Sequence, residues 1–345
     1  MQNPFEKFYR VWNAQELLDY AFSRASSKPA SLPKALPNLE KVKRKEIKRM
    51  ENATTILVDK ITTIVKSVPN LDELPPFYRK LSHLLVDNDE LRTGLGRING
   101  VIPVLKSLFK QYRRKVGNQI NAKQAGLTRM EFFGRCSSVI KKIDKTLIFL
   151  EECRVKLQDI PSVDLEIPSI VIAGYPNVGK STLVGQLSSA KPQVSEYPFT
   201  TKQIYLGMYR DEYDSKYFQV IDTPGILDRP MHQRNTIEKQ AILALNTISS
   251  FILFVFDPTP SSGYDISSQL NLYNEIRKNF ADDFEIPVLC VINKIDLATP
   301  SEIQSLLIQL QIPEEEVFLI NAKEGEHVDK LIKKLLEFMQ DQIHF

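Results

Sequence analysis

Cysteine is scarce in this chain: three in 345 residues, Cys136, Cys153 and Cys290, with no two spaced as a CxxC pair. That excludes a disulfide framework and a cysteine-rich metal site. Four scattered histidines offer no substitute ligand set. Long apolar stretches are missing as well. The longest purely apolar run, Phe251 to Phe256, has six residues, where a membrane-spanning helix needs about 20. The amino terminus, MQNPFEKFYRVWN, carries Glu6 early and has no apolar core like that of a secretory signal. No internal repeat or low-complexity tract is present. The expectation is a protein of a reducing, soluble compartment, cytoplasmic, away from membranes and monomeric when free.

At 43% hydrophobic and 25% charged residues the composition is that of a globular protein, not a disordered one. Net charge is only +3, but it is unevenly placed. Residues 1–160 hold 30 basic and 17 acidic side chains, a net of +13; residues 161–345 hold 15 and 25, a net of −10. A basic half joined to an acidic half implies two modules with different partners.

The two halves also differ in pattern. Residues 1–160 read as a helical bundle. Phe132, Cys136, Val139, Ile140, Ile143, Leu147 and Leu150 are spaced as one stripe of a single helix, with Arg135, Lys141, Lys142 and Lys145 on its flank and opposite side. A second apolar series, Leu57, Ile61, Ile64, Val65 and Val68, follows the charged run at 41–50. Breaks fall at KPASLPKALP, residues 28–37, and at Pro75-Pro76. After Ile160-Pro161 short β-branched runs alternate with helical stretches. The strand candidates are Ser169–Ala173, Ile204–Tyr209, Tyr217–Ile221, Phe251–Phe256, Val288–Ile292 and Val317–Ile320. The fold class expected is therefore α plus α/β: a helical domain over 1–160, then an α/β domain over 161–345 with a mostly parallel sheet. Ligands of such a sheet bind beyond the carboxyl ends of its strands.

Every chemical motif sits at such an end. Gly174-Tyr175-Pro176-Asn177-Val178-Gly179-Lys180-Ser181 fits G-x-x-x-x-G-K-[ST], follows the SIVIA strand, and runs through Thr182 into a helix candidate. Backbone N–H groups there can curl around phosphate oxygens, Lys180 can reach the β and γ phosphates, and Ser181 can hold Mg²⁺. Asp222-Thr223-Pro224-Gly225 follows another strand. Alone it reads as a β-turn; about 40 residues after a phosphate loop, its Asp222 can hold Mg²⁺ and the Gly225 N–H can approach a γ-phosphate. Asn293-Lys294-Ile295-Asp296 ends a third strand. The Asp296 carboxylate can accept two hydrogen bonds from guanine that adenine cannot offer, and the Lys294 stem can cover one face of the base. Asn321-Ala322-Lys323, after the VFLI strand, supplies a backbone N–H for the guanine carbonyl. On the loop Tyr197-Pro198-Phe199-Thr200-Thr201, Thr201 is the residue chosen over Thr200 to complete Mg²⁺ coordination when a γ-phosphate is present. The ligands implied are GTP or GDP with Mg²⁺.

Together these resemble the five guanine-nucleotide motifs of the Ras-like GTPases, across residues 165–340. GYPNVGKST with EYPFTT resembles the Obg branch. DTPGILDRPMHQRNTIEKQAILAL and DPTPSSGYDISSQLNLYNEI resemble the Nog family, the nucleolar G proteins, and NAQELLDYAFSRAS resembles that family's helical domain. The resemblance implies a GTP-hydrolysing factor in large-ribosomal-subunit assembly that binds ribosomal particles and their RNA. Ending at Phe345 without the long carboxyl-terminal extension of eukaryotic members, the sequence resembles the compact archaeal form.

Two features refine that expectation. Ras-like enzymes orient the attacking water with a glutamine after the DxxG glycine; here that position is Ile226, so slow intrinsic hydrolysis is expected. A GTP-holding scaffold with little turnover, or a non-ribosomal signalling GTPase, are the rival readings. Obg-type relatives with asparagine in the phosphate loop can use K⁺, which would place Asn177 beside Lys180, Thr201 and Gly225 in catalysis; Asn177 as a plain loop cap is the alternative. In the basic half, residues 101–150 carry eleven basic and two acidic side chains. Arg113, Arg114, Lys115, Lys141, Lys142 and Lys145 are the candidate contacts to RNA phosphates, with shape rather than base sequence read.

Overall fold

The computed structural model describes residues 3–27, 36–189, 192–196, 203–210, 216–222, 227–230, 233–313 and 316–343. The chain forms two compact units. One contains Pro4–Leu74 and Leu85–Gln158; the other contains Asn3, Pro75–Leu84 and Asp159 onward.

The first unit is all helix: α1 Ala14–Ser27, α2 Asn38–Ser67, α4 Asn88–Gly117, α5 Ala122–Lys141 and α6 Asp144–Gln158. Helix α2 packs on α1, α4 and α5, and α4 packs on α6. Their shared interior holds Leu57, Ile61 and Ile64 of α2, Ile98 and Leu105 of α4, Phe132, Cys136 and Ile140 of α5, and Leu147 and Leu150 of α6. Each such side chain contributes about 1.5–3 kcal/mol by leaving water. Polar side chains set the helix starts: Asp87 accepts the N–H groups of Asp89 and Glu90 at α4, and Asn121 accepts that of Gln124 at α5. The charged run at 41–50 is no separate segment. It is the first half of α2, where buried Glu46 pairs with Arg49 at 3.0 Å and Arg129 at 2.5 Å.

One expectation is corrected here. The apolar stripe from Phe132 to Leu150 does not lie on one helix: α5 stops at Lys141 and α6 starts at Asp144. The N–H groups of Lys142 and Ile143 both turn back to the Ile140 carbonyl. The Asp144 carboxylate accepts the Ala14 N–H at 2.8 Å. The hitch leaves Phe132, Cys136, Ile140, Leu147 and Leu150 all buried. Periodicity survives it, so spacing alone could not reveal the break.

The second unit is built on a seven-stranded sheet, β1 Ser169–Ala173, β2 Gln193–Glu196, β3 Gln203–Arg210, β4 Lys216–Asp222, β5 Phe251–Phe256, β6 Val288–Ile292 and β7 Val317–Leu319, in the order β2-β3-β4-β1-β5-β6-β7. The pairs from β4 to β7 are parallel, and β2-β3-β4 are antiparallel. Every residue of β1 and β5 is buried, as befits strands covered on both faces. Helices α7 Lys180–Leu187, α8 Thr236–Ala244, α9 Ile266–Arg277, α10 Pro300–Leu310 and α11 Val328–Ile343 belong to the same unit. Among the described residues no helix is long and apolar enough to cross a membrane.

Helix α3, Pro76–Leu85, comes early in sequence, yet Pro75–Leu84 belongs to this second unit. Phe77, Tyr78 and Leu81 are its buried anchors. The Tyr78 hydroxyl lies 3.0 Å from the Val163 N–H, which it accepts, and 3.3 Å from the Pro161 and Val163 carbonyls. Burial, ahead of other causes, pushes this phenol above the usual tyrosine range. Tyr78→Phe would leave the buried Val163 N–H without its acceptor. A loss of about 1–3 kcal/mol is expected, read as a lower urea midpoint for the full chain; an unchanged midpoint would show that the hydroxyl is not the anchor.

Candidate functional site

The segments after β1, β6 and β7, with Asp228 beyond β4, line a cavity of about 610 Å³. Of the residues expected at a site, Pro176, Asn177, Gly179, Lys180, Ser181, Thr182, Asn293, Lys294, Asp296, Asn321 and Lys323 line it. Gly174, Tyr175, Val178, Asp222 and Ala322 are not part of that lining. Thr201, Gly225 and Ile226, with the Tyr197–Thr200 stretch, lie outside the described residues.

The loop from β1 to α7 is held in a curl that its glycines permit. Gly174 has φ 134 and Gly179 has φ 99. A Cβ on Gly174 would sit 2.5 Å from the Val255 carbonyl oxygen, and one on Gly179 only 2.2 Å from Asn293 Nδ2. No other residue fits either place. The Gly174 N–H donates to the Leu227 carbonyl at 3.0 Å. Lys180 opens α7 and is 7% exposed. Its ammonium donates to the Gly174 and Tyr175 carbonyls at 2.8 and 2.7 Å. Burial lowers its pKa from the usual lysine value, partly offset by Asp222 and Asp228. Beside it, Ser181 Oγ donates to Asp222 Oδ2 at 2.6 Å. A hydroxyl and a fully buried carboxylate in contact form the hard-oxygen pair that Mg²⁺ takes from protein when phosphates supply further ligands.

The loop after β6 is bonded directly to the first. Asn293, 3% exposed, donates from Nδ2 to the Val178 carbonyl at 2.9 Å and accepts the Ala322 N–H on Oδ1 at 2.9 Å. Lys294 Nζ donates to the Asn177 carbonyl at 2.7 Å, to Asp257 Oδ2 at 2.7 Å and to Ser261 Oγ at 2.8 Å. Asp296 is exposed and lines the cavity. Asn321 Oδ1 accepts the Lys323 N–H at 3.1 Å, closing the third loop. The N–H groups of Ala322 and Lys323 are thus both engaged within the protein.

Sequence reasoning missed Asp228 and Leu297 on the lining and Asp257 behind Lys294. Leu297 is the residue after the base-loop aspartate and is 63% exposed, an apolar side chain that a planar base would cover. Asp257 begins DPTPSSGYD, whose density of small hydroxyl residues next to a strand end was its available signal.

Comparison with known proteins gives two family matches. Residues 5–164 match the family described as the NOG1 N-terminal helical domain, and residues 169–294 match a family described as 50S ribosome-binding GTPase. The chain is 36% identical over 303 residues to an uncharacterized protein of Methanocaldococcus jannaschii, covering 88% of this chain and 83% of that one. It is 32% identical to nucleolar GTP-binding protein 1 of Caenorhabditis elegans and 29% identical to that of Encephalitozoon cuniculi, covering 94% and 95% of this chain. It spans 46% and 61% of those two proteins, about half their length. A solved Plasmodium falciparum structure described as nucleolar GTP-binding protein 1 is 29% identical, with a TM-score of 0.44 over 54% of this chain and 92% of that one.

Lys180 gives the cavity a pH signature. With its pKa lowered by burial, Lys180 of the nucleotide-free protein loses its proton at a lower pH than an ordinary lysine. A bound phosphate anion favours the charged form and raises that pKa. Between the two values binding takes up a proton, so affinity for a nucleotide falls as pH rises through that window and is flat below it. Calorimetric titration with GDP in buffers of different ionisation enthalpy should show proton uptake in that window; proton release there would contradict the assignment.

Proposed function

The chain belongs to the nucleolar GTP-binding protein 1 family, the Nog GTPases, and from that premise we propose that it binds and hydrolyses GTP as an assembly factor of the large ribosomal subunit. One observation carries the nucleotide part: a loop built to hold phosphate and a loop built to read guanine, 115 residues apart in sequence, are joined by the Asn293–Val178 hydrogen bond around one cavity. In this reading Lys180 neutralises the β and γ phosphates, and Asp296 accepts two hydrogen bonds from guanine. Ser181, Asp222 and Thr201 would hold Mg²⁺, which screens developing charge on the phosphates. GTP would order the loops bearing Thr201 and Gly225, and hydrolysis would release them.

Ribosomal RNA is the proposed partner of the helical unit. Arg113, Arg114, Lys141, Lys142 and Lys145 are all exposed, away from the buried stripe of α5 and α6. Lys115 is exposed too, but it is paired with Glu131 at 2.6 Å and contributes less. Free in the cytoplasm as a monomer, the protein would dock on ribosomal particles through these cations. Crosslinking to large-subunit particles with GTP or GDP bound should place RNA against α4–α6, with a yield that depends on the nucleotide. Replacing Lys141, Lys142 and Lys145 by Glu should remove most of it. RNA binding that ignores salt concentration would count against this partner.

Ile226 keeps a second reading in view, a scaffold that holds GTP with little turnover. Asn177 separates the two. Its left-handed backbone (φ 64) suits asparagine, and it stands on the cavity lining beside the phosphate site. If K⁺ near Asn177 offsets charge between the β and γ phosphates, single-turnover hydrolysis in KCl should exceed that in NaCl by about tenfold or more. Equal rates would remove K⁺ from the mechanism. Negligible turnover on purified subunits would favour the scaffold.

A further inference from the structure

The segment Asp257-Pro258-Thr259-Pro260-Ser261 follows β5 and carries none of the five nucleotide motifs. We propose that Asp257 is a positioning residue for nucleotide binding: it fixes the Lys294 ammonium so that Lys294 clamps the phosphate loop at Asn177. This rests on the cavity being a guanine-nucleotide site.

Asp257 is fully buried, and its carboxylate has no freedom to turn. Oδ1 accepts the Thr259 N–H at 2.9 Å and the Thr259 hydroxyl at 2.7 Å. Oδ2 accepts the Ser261 hydroxyl at 2.9 Å and Lys294 Nζ at 2.7 Å. Its own N–H and carbonyl are both bonded by the Gln269 side chain at 2.9 Å. A carboxylate so buried needs a counter-charge, and among the described residues Lys294 is the cation within ion-pair reach. Lys294 in turn has three N–H donors, and three acceptors take them: Asp257, Ser261 and the Asn177 carbonyl. Its stem, which would lie along the base, is therefore held at the tip.

The clamp acts where the backbone is unusual. Lys294 and Asn177 are both left-handed, with φ 60 and 64. Such conformations persist when surrounding contacts over-determine them. Two consecutive residues of the base loop bond to two consecutive carbonyls of the phosphate loop: Lys294 to Asn177 and Asn293 to Val178. Asp257 supplies the charge that keeps the first of these bonds in place. A purely local role, shaping the turn through Thr259, is the competing explanation, and it makes no use of Lys294.

A double-mutant cycle on GDP affinity separates them. Asp257→Asn in the native background should weaken GDP binding by roughly tenfold, and by less than about twofold when Lys294 is already Met. Ser261→Ala, at an exposed residue, leaves every buried charge paired and guards against a misfolded Asp257 variant. It should show about a threefold loss that likewise vanishes in the Lys294→Met background. Equal losses in both backgrounds would overturn the proposal in favour of the local role, and so would no loss in the native one. A native chain that binds no GDP at all would overturn the nucleotide reading itself and this inference with it.

Discussion

The buried ammonium of Lys180 is the constraint on which the rest of the site depends. A lysine that is 7% exposed keeps its charge only where polar groups replace water. Two loop carbonyls do so here, those of Gly174 and Tyr175. They can point inward because Gly174 adopts φ 134, and that curl brings its Cα against the Val255 carbonyl. Carbonyl dipoles satisfy the charge less fully than an anion would, which is why burial still lowers the pKa. The loop is thus shaped around a cation that a polyphosphate would complete.

The Lys180 contacts hold only the start of the loop, at Gly174 and Tyr175. Its outer residues, Asn177 and Val178, have their carbonyls taken by Lys294 and Asn293 from the strand-β6 end. Asn293 also binds Ala322, so three loops from three strands are fastened through one side-chain amide. The loops after β1, β6 and β7 are then parts of one hydrogen-bonded body. Gly179 is the point of closest approach, since any side chain there would displace the Asn293 amide.

Much of this was legible in the sequence, for reasons that vary by element. β5 spans its apolar run, and β1 and β6 are nearly all apolar, because strands covered on both faces have no polar side to present. β2 gave no signal: QVSE pairs with β3 at the edge of the sheet and leaves Val194 half exposed, so no buried face imposes a pattern. The break at Lys142 was hidden because a hitch that preserves the buried face also preserves the spacing. Helix α3 reads as any amphipathic helix, and which interior it joins is a tertiary matter that Phe77, Tyr78 and Leu81 cannot announce. Motif residues that line the cavity were recognisable by type. Asp257, which acts through another side chain, has no fixed spacing to betray it.

The uneven charge now has two physical meanings. Residues 161–345 carry a net −10, yet they contain the cavity suited to a polyanion. Distant exposed carboxylates are screened beyond about 8–10 Å at ordinary salt, whereas Lys180 acts at contact distance and out of water, where each charge counts for more. Local burial therefore outweighs the sign of the whole unit. The cations of α4 to α6 are the reverse case. Arg113, Arg114, Lys141, Lys142 and Lys145 are exposed, so each acts weakly through high dielectric and can hold a polyanion only by numbers. In the proposed reading placement decides binding at the cavity and count would decide it on the helices, so the −10 of residues 161–345 does not by itself bar an anion from a cavity that holds Lys180.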